Sequence, residues 1–163
     1  MSDIVWAINP AKDQLSDLTG RMRRFASDLV TARNIEFRFQ APSADAYMKV
    51  SADVRREVFL IFKESINNLV RHAACTEANT ELRIEGRGLV LTVRDNGKGF
   101  DPTRISDGHG LTSMQARAKN LGGQLEVISN DGHGTTVRLE APLITVLRQG
   151  GDRGFGRGAA RRR

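Results

Sequence analysis

The sequence predicts a two-layer α/β sandwich, a largely antiparallel mixed sheet covered by helices on one face. Three observations predict it. Four segments in the second half alternate apolar and polar residues with period two, as strands do when one face is buried and the other solvated. Three other segments repeat apolar residues at three- and four-residue steps, as amphipathic helices do. At 163 residues the chain is long enough for one substantial core and too short to expect two.

Residues 11–33 read as the first helix, with Leu15, Leu18, Met22, Phe25 and Leu29 on one face and Pro10 suited to its start. IEFRFQ, residues 35–40, alternates and reads as a strand. APSADAYMKV is a turn-rich connector, extended in part. Residues 51–73 read as the strongest helix, with Ser51 as N-cap ahead of Asp53. ELRIEG (81–86) and LVLTVRD (89–95), separated by Arg87-Gly88, read as a hairpin. LTSMQARAKNLGG places Leu111, Met114, Ala118 and Leu121 on one helix face, and Gly122-Gly123 stops it. QLEVISN (124–130) and TTVRLEAP (135–142) flank the turn DGHG. There is no internal repeat.

Composition narrows the class. Hydrophobic residues at 39% and charged residues at 27% are those of a soluble globular protein. No apolar run approaches the roughly 20 residues that span a bilayer, and MSDIVWAINP lacks the basic start and apolar middle of a secretory signal. The single cysteine, Cys75, excludes an internal disulfide framework and suits a reducing cytoplasm. The net charge of +6 is concentrated at the C-terminus, where residues 148–163 hold six arginines and one acid. The other 147 residues carry 19 basic and 18 acidic side chains and are nearly neutral. Glycine and arginine cannot build a core, so 148–163 reads as a disordered, solvated tail. A weak electrostatic contact with RNA, DNA or acidic lipid is the sharper alternative.

The chemistry-bearing residues fall in four places. Asp95 closes the strand in VRDNGKGFDP and shares parity with Leu89, Leu91 and Val93, so it points toward the core side. A carboxylate there needs hydrogen-bond donors or bears a desolvation cost. Asp-Asn-Gly is also a common turn, in which the aspartate caps its own loop. Gly97 and Gly99 suggest that backbone or ligand passes close by. On the 51–73 helix, Val58, Phe62, Ile66, Leu69 and Ala73 form an apolar stripe, and Glu64, Asn68 and His72 form a polar one beside it. Asn67 and Arg71 lie further round. A carboxylate, a carboxamide and an imidazole in line suit a cation or a phosphate, and equally a surface hydrogen-bonded row. Gly108 and Gly110 precede a helix N-terminus, which is suited to anions, though the run is no P-loop. Thr135 shares parity with Val137 and Leu139 and points inward.

Taken in order, ESINNLVRHA, DNGKGF, GHGLTSM and GTTVRLEAP resemble the asparagine box and three glycine boxes of the GHKL ATPase superfamily. They are most similar to the ATP-binding domain of sensor histidine kinases whose regulators belong to the NarL/LuxR class. The resemblance runs from about residue 4 to residue 143, and DIVWAINP with RMRRFASDL resembles the segment leading into that domain. It implies the Bergerat fold, which agrees with the periodicity. It also implies that Asp95 accepts from the adenine amino group, that Thr135 helps hold the base, and that Gly97 and Gly99 let backbone pass the nucleotide. Asn68 matches the Mg²⁺ ligand. His72, with Arg71 or Lys98, would face the phosphates, Gly108 and Gly110 would hinge a short lid, TRISDGHG, and Leu111 would join the ATP-binding residues. Glu64 matches a glutamate that activates water in hydrolysing relatives and supports the metal shell in kinases.

The resemblance further implies Mg-ATP as the bound species and phosphoryl transfer to a histidine. Its partners would be a histidine-containing dimerisation domain and a downstream response regulator. The histidines here are His72, His109 and His133, all in or beside the nucleotide motifs, so no acceptor helix is expected on this chain. Residues 1–10 are expected to lead in from a dimerisation region, 11–147 to form the ATPase domain and 148–163 the tail. The expected location is cytoplasmic, free or as the cytoplasmic part of a membrane-bound sensor. Two other readings stay open: a nucleotide-dependent interaction module or serine kinase of the anti-sigma type, and an ATP hydrolase using Glu64.

Overall fold

The computed structural model describes residues 5, 9–43, 48–101 and 109–143. The tail, the segment before Asn9 except Val5, and most of the lid with Gly108 lie outside the described residues. A 3₁₀ turn, Pro10–Lys12, precedes helix α1 (Leu15–Thr31), strand β1 (Glu36–Gln40) and helix α2 (Ala52–Asn68). A single π-helical stretch, Leu69–Ala73, extends α2. Then come β2 (Glu77–Glu85), β3 (Gly88–Asp95), α3 (His109–Asn120), β4 (Gln124–Ser129) and β5 (Thr135–Pro142).

The strands form one sheet in the order β1-β2-β3-β5-β4, parallel only between β1 and β2. This is the expected mixed, largely antiparallel α/β sandwich. Its inner face packs on the helices through a core that includes Leu18, Met22, Val58, Phe62, Ile66, Leu82, Leu91, Met114 and Leu139, all at most 1% exposed. The outer face carries same-strand ion pairs, Arg38 with Glu36 at 2.7 Å and Arg83 with Glu81 at 3.3 Å. Such exposed pairs contribute little stability, but they keep that face wet. No helix among the described residues is long and apolar enough to cross a membrane.

Ser51 caps α2 as expected, its Oγ accepting from Val54 N–H at 3.3 Å. Gly122, at φ +70°, ends α3 in a Schellman arrangement: its N–H donates to Lys119 O, and Gly123 N–H donates to Ala118 O, both at 2.9 Å. Four boundaries differ from expectation. The first helix starts at Leu15 rather than 11, because residues 13–15 are drawn into extended pairing with 48–50. Leu15 N–H donates to Met48 O at 2.8 Å, and Val50 N–H donates to Asp13 O at 2.7 Å. The hairpin turns at Gly86-Arg87, with Gly86 at φ +61° and Gly88 already paired to Glu85. Only the first turn residue has positive φ, the requirement of a type II′ turn. Strand β2 begins at Glu77, four residues early, since Ala78 and Thr80 face inward but are too small to mark a strand by hydrophobicity. Helix α3 begins at His109, so Gly110 lies within its first turn.

Candidate functional site

The register of the sheet assembles the site. Ala78, Asp95, Thr135 and Ser129 lie directly opposite one another on four strands. The next inward row is Thr80, Val93, Val137 and Val127, and the row after that is Leu82, Leu91, Leu139 and Leu125. One end of the inner face is therefore polar where the rest is aliphatic. Above that end is a cavity of about 530 Å³. Val93, Val127, Val137, Leu69 and Met114 give it apolar walls, and Asp95 and Thr135 are polar groups set among them. A mostly apolar cleft with a few convergent polar groups is what a small organic ligand needs.

Asp95 is 8% exposed, and one carboxylate oxygen accepts from Gly97 N–H at 2.8 Å. It therefore caps its own loop and lines the cavity at once. An ionised carboxylate has about four acceptor positions, so Gly97 leaves most of them for a ligand. Burial pushes its pKa above the ordinary aspartate value, while the backbone N–H groups of Gly97 and Thr135 pull the other way. Cys75, half-buried nearby, has its thiol pKa raised by burial and then by the Asp95 charge. That makes it a poor thiolate.

The polar stripe of α2 forms the opposite wall. Glu64 and Asn68 line the cavity, as do Arg71 and His72 of the π-helical stretch, whereas Asn67 does not. Arg71 and His72 are exposed, as is Lys98 across from them. The open edge is thus cationic and the floor apolar. Ala74 ends the stretch at φ +50°, and Lys98 N–H donates to the Ala73 carbonyl at 2.8 Å. A Cβ on Gly97 would collide with that same carbonyl oxygen. Gly99, at φ +65°, leaves no room for a Cβ beside the Asn130 carbonyl, and Gly132 N–H donates to Lys98 O at 2.6 Å. The loop after β3 is thus clamped between the end of α2 and the β4–β5 turn. Gly97 is required by this backbone contact and does not line the cavity, whereas Gly99 does.

Helix α3 closes the remaining side with His109, Gly110, Leu111 and Met114. The Glu64 carboxylate rests so close to Gly110 that a Cβ there would overlap Glu64 Oε1. Glu57, 3% exposed, holds α2 and α3 together: Arg117 and Arg56 donate to its two oxygens at 2.9 and 2.7 Å. Sequence reasoning passed over Phe100 and Val127 of the cavity wall and Ser129 beneath it, and read Met114 only as a core-facing helix residue. Val127 is a regular strand residue with no motif around it. Ser129 carries a signal only once its register against Thr135 is known.

Glu64 and Asn68 stand one helical turn apart with oxygen atoms on one cavity wall. Among the described residues, no three histidine, cysteine or acidic side chains gather as a metal cage. A hard cation that keeps several waters and binds through one or two protein oxygens plus phosphate fits that donor set, and Mg²⁺ is such an ion.

Comparison with known proteins agrees with this geometry. The family described as histidine kinase-, DNA gyrase B-, and HSP90-like ATPase matches residues 53–145. Over 96 residues the chain is 37% identical to the sensor histidine kinase LiaS of Bacillus subtilis strain 168, covering 58% of this chain and 27% of LiaS. It is 33% identical over 96 residues to the sensor protein VraS of Staphylococcus aureus strain COL, covering 58% of this chain and 28% of VraS. The match thus spans little more than a quarter of either relative. Two solved structures share its fold. The blue-light activated histidine kinase of Erythrobacter litoralis EL346 superposes with a TM-score of 0.65 at 23% identity, over 77% of this chain and 42% of that one. The catalytic domain of the histidine kinase ThkA gives a TM-score of 0.63 at 15% identity, over 80% of this chain and 94% of that one.

Proposed function

Because this chain belongs to the histidine kinase-, DNA gyrase B-, and HSP90-like ATPase family, we propose that it binds Mg-ATP and donates the γ-phosphoryl group to a histidine of a separate dimerisation domain. The observation that carries the nucleotide reading is the cavity, with Asp95 and Thr135 set among its apolar walls and Arg71, His72 and Lys98 at its open edge. A flat base with an amino edge suits the first and a polyphosphate the second. Asp95 would accept from the base amino group. Asn68 would hold Mg²⁺ and Glu64 would support it, and the ion would neutralise phosphate charge.

In the transfer, the bond from the γ-phosphorus to the β–γ bridging oxygen breaks, a phosphorus–nitrogen bond forms to the acceptor imidazole, and ADP leaves. Such catalysis is chiefly positioning and charge neutralisation. The cationic edge and the Glu64–Asn68 wall supply both. The expected partners are the dimerisation domain and a downstream response regulator, on the cytoplasmic side. Product analysis tests the reaction. Acid-labile phosphate on a supplied dimerisation domain supports the kinase, acid-stable phosphoserine supports the anti-sigma type of kinase, and free phosphate abolished by Glu64→Ala supports the hydrolase.

A further inference from the structure

Asn96 is the one asparagine of the chain that glycine follows. In such a pair the glycine nitrogen has no side chain beside it to hinder attack on the asparagine carboxamide carbon. Asn96 is exposed and takes no part in the cavity wall, yet its carboxamide is held by the start of β2. Its Oδ1 accepts from the Thr76 and Glu77 N–H groups, and its Nδ2 donates to Thr76 Oγ1, all at 3.0 Å. Gly97 N–H meanwhile donates to the Asp95 carboxylate at 2.8 Å. The attacking nitrogen is thus tied to a residue of the inner face, while the carboxamide reaches across to the neighbouring strand. Ring closure between them requires these bonds to be released first.

We propose that Asn96-Gly97 is a self-modification site gated by these hydrogen bonds: it closes to a succinimide only when the loop leaves its clamp, and the isoaspartate that follows disables the cavity beside it. The Gly97 nitrogen gives its proton to hydroxide and bonds to the Asn96 carboxamide carbon. The bond from that carbon to Nδ2 breaks, and the departing nitrogen takes a proton from water and leaves as ammonia. Water then opens the ring at either carbonyl carbon. One opening gives aspartate with the main chain unchanged. The other gives isoaspartate, whose main chain runs through the former side-chain carboxyl and is one methylene longer. The loop has no slack for that methylene. Lys98 N–H is bonded to Ala73 O at 2.8 Å, and Gly97 packs on the same carbonyl with no room for a Cβ. Asp95 and Lys98, both of the cavity wall, stand on either side of the lengthened link.

The test ages the whole chain in warm, mildly alkaline buffer. Peptide mass spectrometry reads deamidation at residue 96, and isoaspartate-specific methylation reads the longer linkage. Folded wild type should deamidate at least roughly ten-fold more slowly than the same chain in urea, because only the locally opened loop reacts. Thr76→Val keeps the side-chain shape and removes the Oγ1 acceptor, so its folded rate should rise roughly five-fold, the weight of one hydrogen bond. Its rate in urea should match wild type. Should Thr76→Val not fold, the wild-type comparison decides. Equal rates for folded and unfolded wild type overturn the gate. So does a faster folded rate, which would mean that the bonds to Oδ1 activate the carboxamide. An intact Asn96 after ageing in urea overturns the site itself. The effect on the cavity rests on the nucleotide reading. Protein carrying isoaspartate at position 96 should bind ADP roughly ten-fold more weakly, whereas Asn96→Asp, its main chain unchanged, should stay within about two-fold of wild type. Equal affinity of the isoaspartate and wild-type chains overturns the disabling step. Wild type that binds no ADP sinks the nucleotide reading instead, and the disabling step is then read as a lower thermal midpoint of the isoaspartate chain.

Discussion

Asp95 on β3 and Thr135 on β5 are direct cross-strand partners, and the pair that founds the site is set by the same register as the core. Below them Val93 pairs with Val137 and Leu91 with Leu139. Side chains alternate faces along a strand, so a slip of one residue would expose those aliphatic pairs and send Asp95 to the charged outer face. Burying the core and forming the polar end of the cavity are therefore one event.

Replacing Asp95 by Asn should separate binding from folding. The Asn Oδ1 can still accept from Gly97 N–H, while its amide group puts a donor where an acceptor stood. Leaving a buried polar group unpaired costs about 1–3 kcal/mol, so affinity for ATP and ADP should fall at least several-fold. The thermal midpoint of the ligand-free protein should hold or rise, since the variant no longer buries a charge. Titration curves identical to wild type would remove Asp95 from the site.

The same burial sets a pH dependence. The folded-state pKa of Asp95 is raised above the ordinary aspartate value of 3.8, so between 3.8 and the raised value the folded state binds the proton that the unfolded state releases. The contribution of Asp95 to stability therefore falls as pH rises through that window and recovers as pH is lowered. Nucleotide affinity should move oppositely, weakening as pH falls and starting to do so above the range of an ordinary aspartate. In Asp95→Asn both components should be absent, so that difference curves against wild type isolate them. A variant that keeps the full pH profile would assign it to another group.

Asn68→Ala should weaken ATP binding in magnesium much more than in chelator if, as proposed, the carboxamide acts through the ion. Asn67→Ala should change little in either buffer, since that residue lies about 100° round the helix and off the cavity wall. Finding Asn67 the sensitive position would mean that the helix presents a different face.

Gly97→Ala should act through folding. Its Cβ would overlap the Ala73 carbonyl and sit 2.8 Å from the Ala73 Cβ. Overpacking of this kind costs about 1–3 kcal/mol, a fall of roughly 3–10 °C in thermal midpoint. Gly132→Ala has open space around its Cβ and only the strain of φ +80°. It should fall less. Equal midpoints for the two variants would contradict the clamp between Ala73 and the loop.

These contrasts show what the sequence made legible. Periodicity located the helices and the faces of β3 and β5, and parity alone turned Asp95 and Thr135 inward. The four-residue spacing placed Glu64, Asn68 and His72 on one cavity wall. What escaped depends on pairing between distant segments. Ala78 and Thr80 have too little hydrophobic surface to mark a strand until β1 and β3 flank them. The early start of α1 was lost to a bridge between Gln14 and Lys49, which no local propensity encodes. Gly97 signalled a close approach, but only the structure supplies the Ala73 backbone as its neighbour. Ser129 looked like an ordinary polar strand end until register set it against Thr135.

The last prediction concerns transfer. Incubated alone with labelled ATP and Mg²⁺, the chain should acquire no acid-labile phosphate. Its three histidines, His72, His109 and His133, lie in or beside the proposed nucleotide site. His72 and His109 line the cavity, and His133 sits in the β4–β5 turn, its backbone N–H donating to Asn130 O at 3.0 Å. On the proposed reading an acceptor would approach the γ-phosphorus in line from outside, through the edge marked by Arg71, His72 and Lys98. A matching dimerisation domain supplied in trans should therefore become phosphorylated on histidine. The reaction should be slow and first order in that domain, because separate chains lack the effective concentration of a tether. Asn68→Ala should abolish the labelling, and Asn67→Ala should preserve it. Self-labelling that survives acidification would point instead to a serine acceptor. Acid-labile self-labelling would show that one of the three histidines reaches the γ-phosphate after all, overturning the assignment of the acceptor to a separate domain.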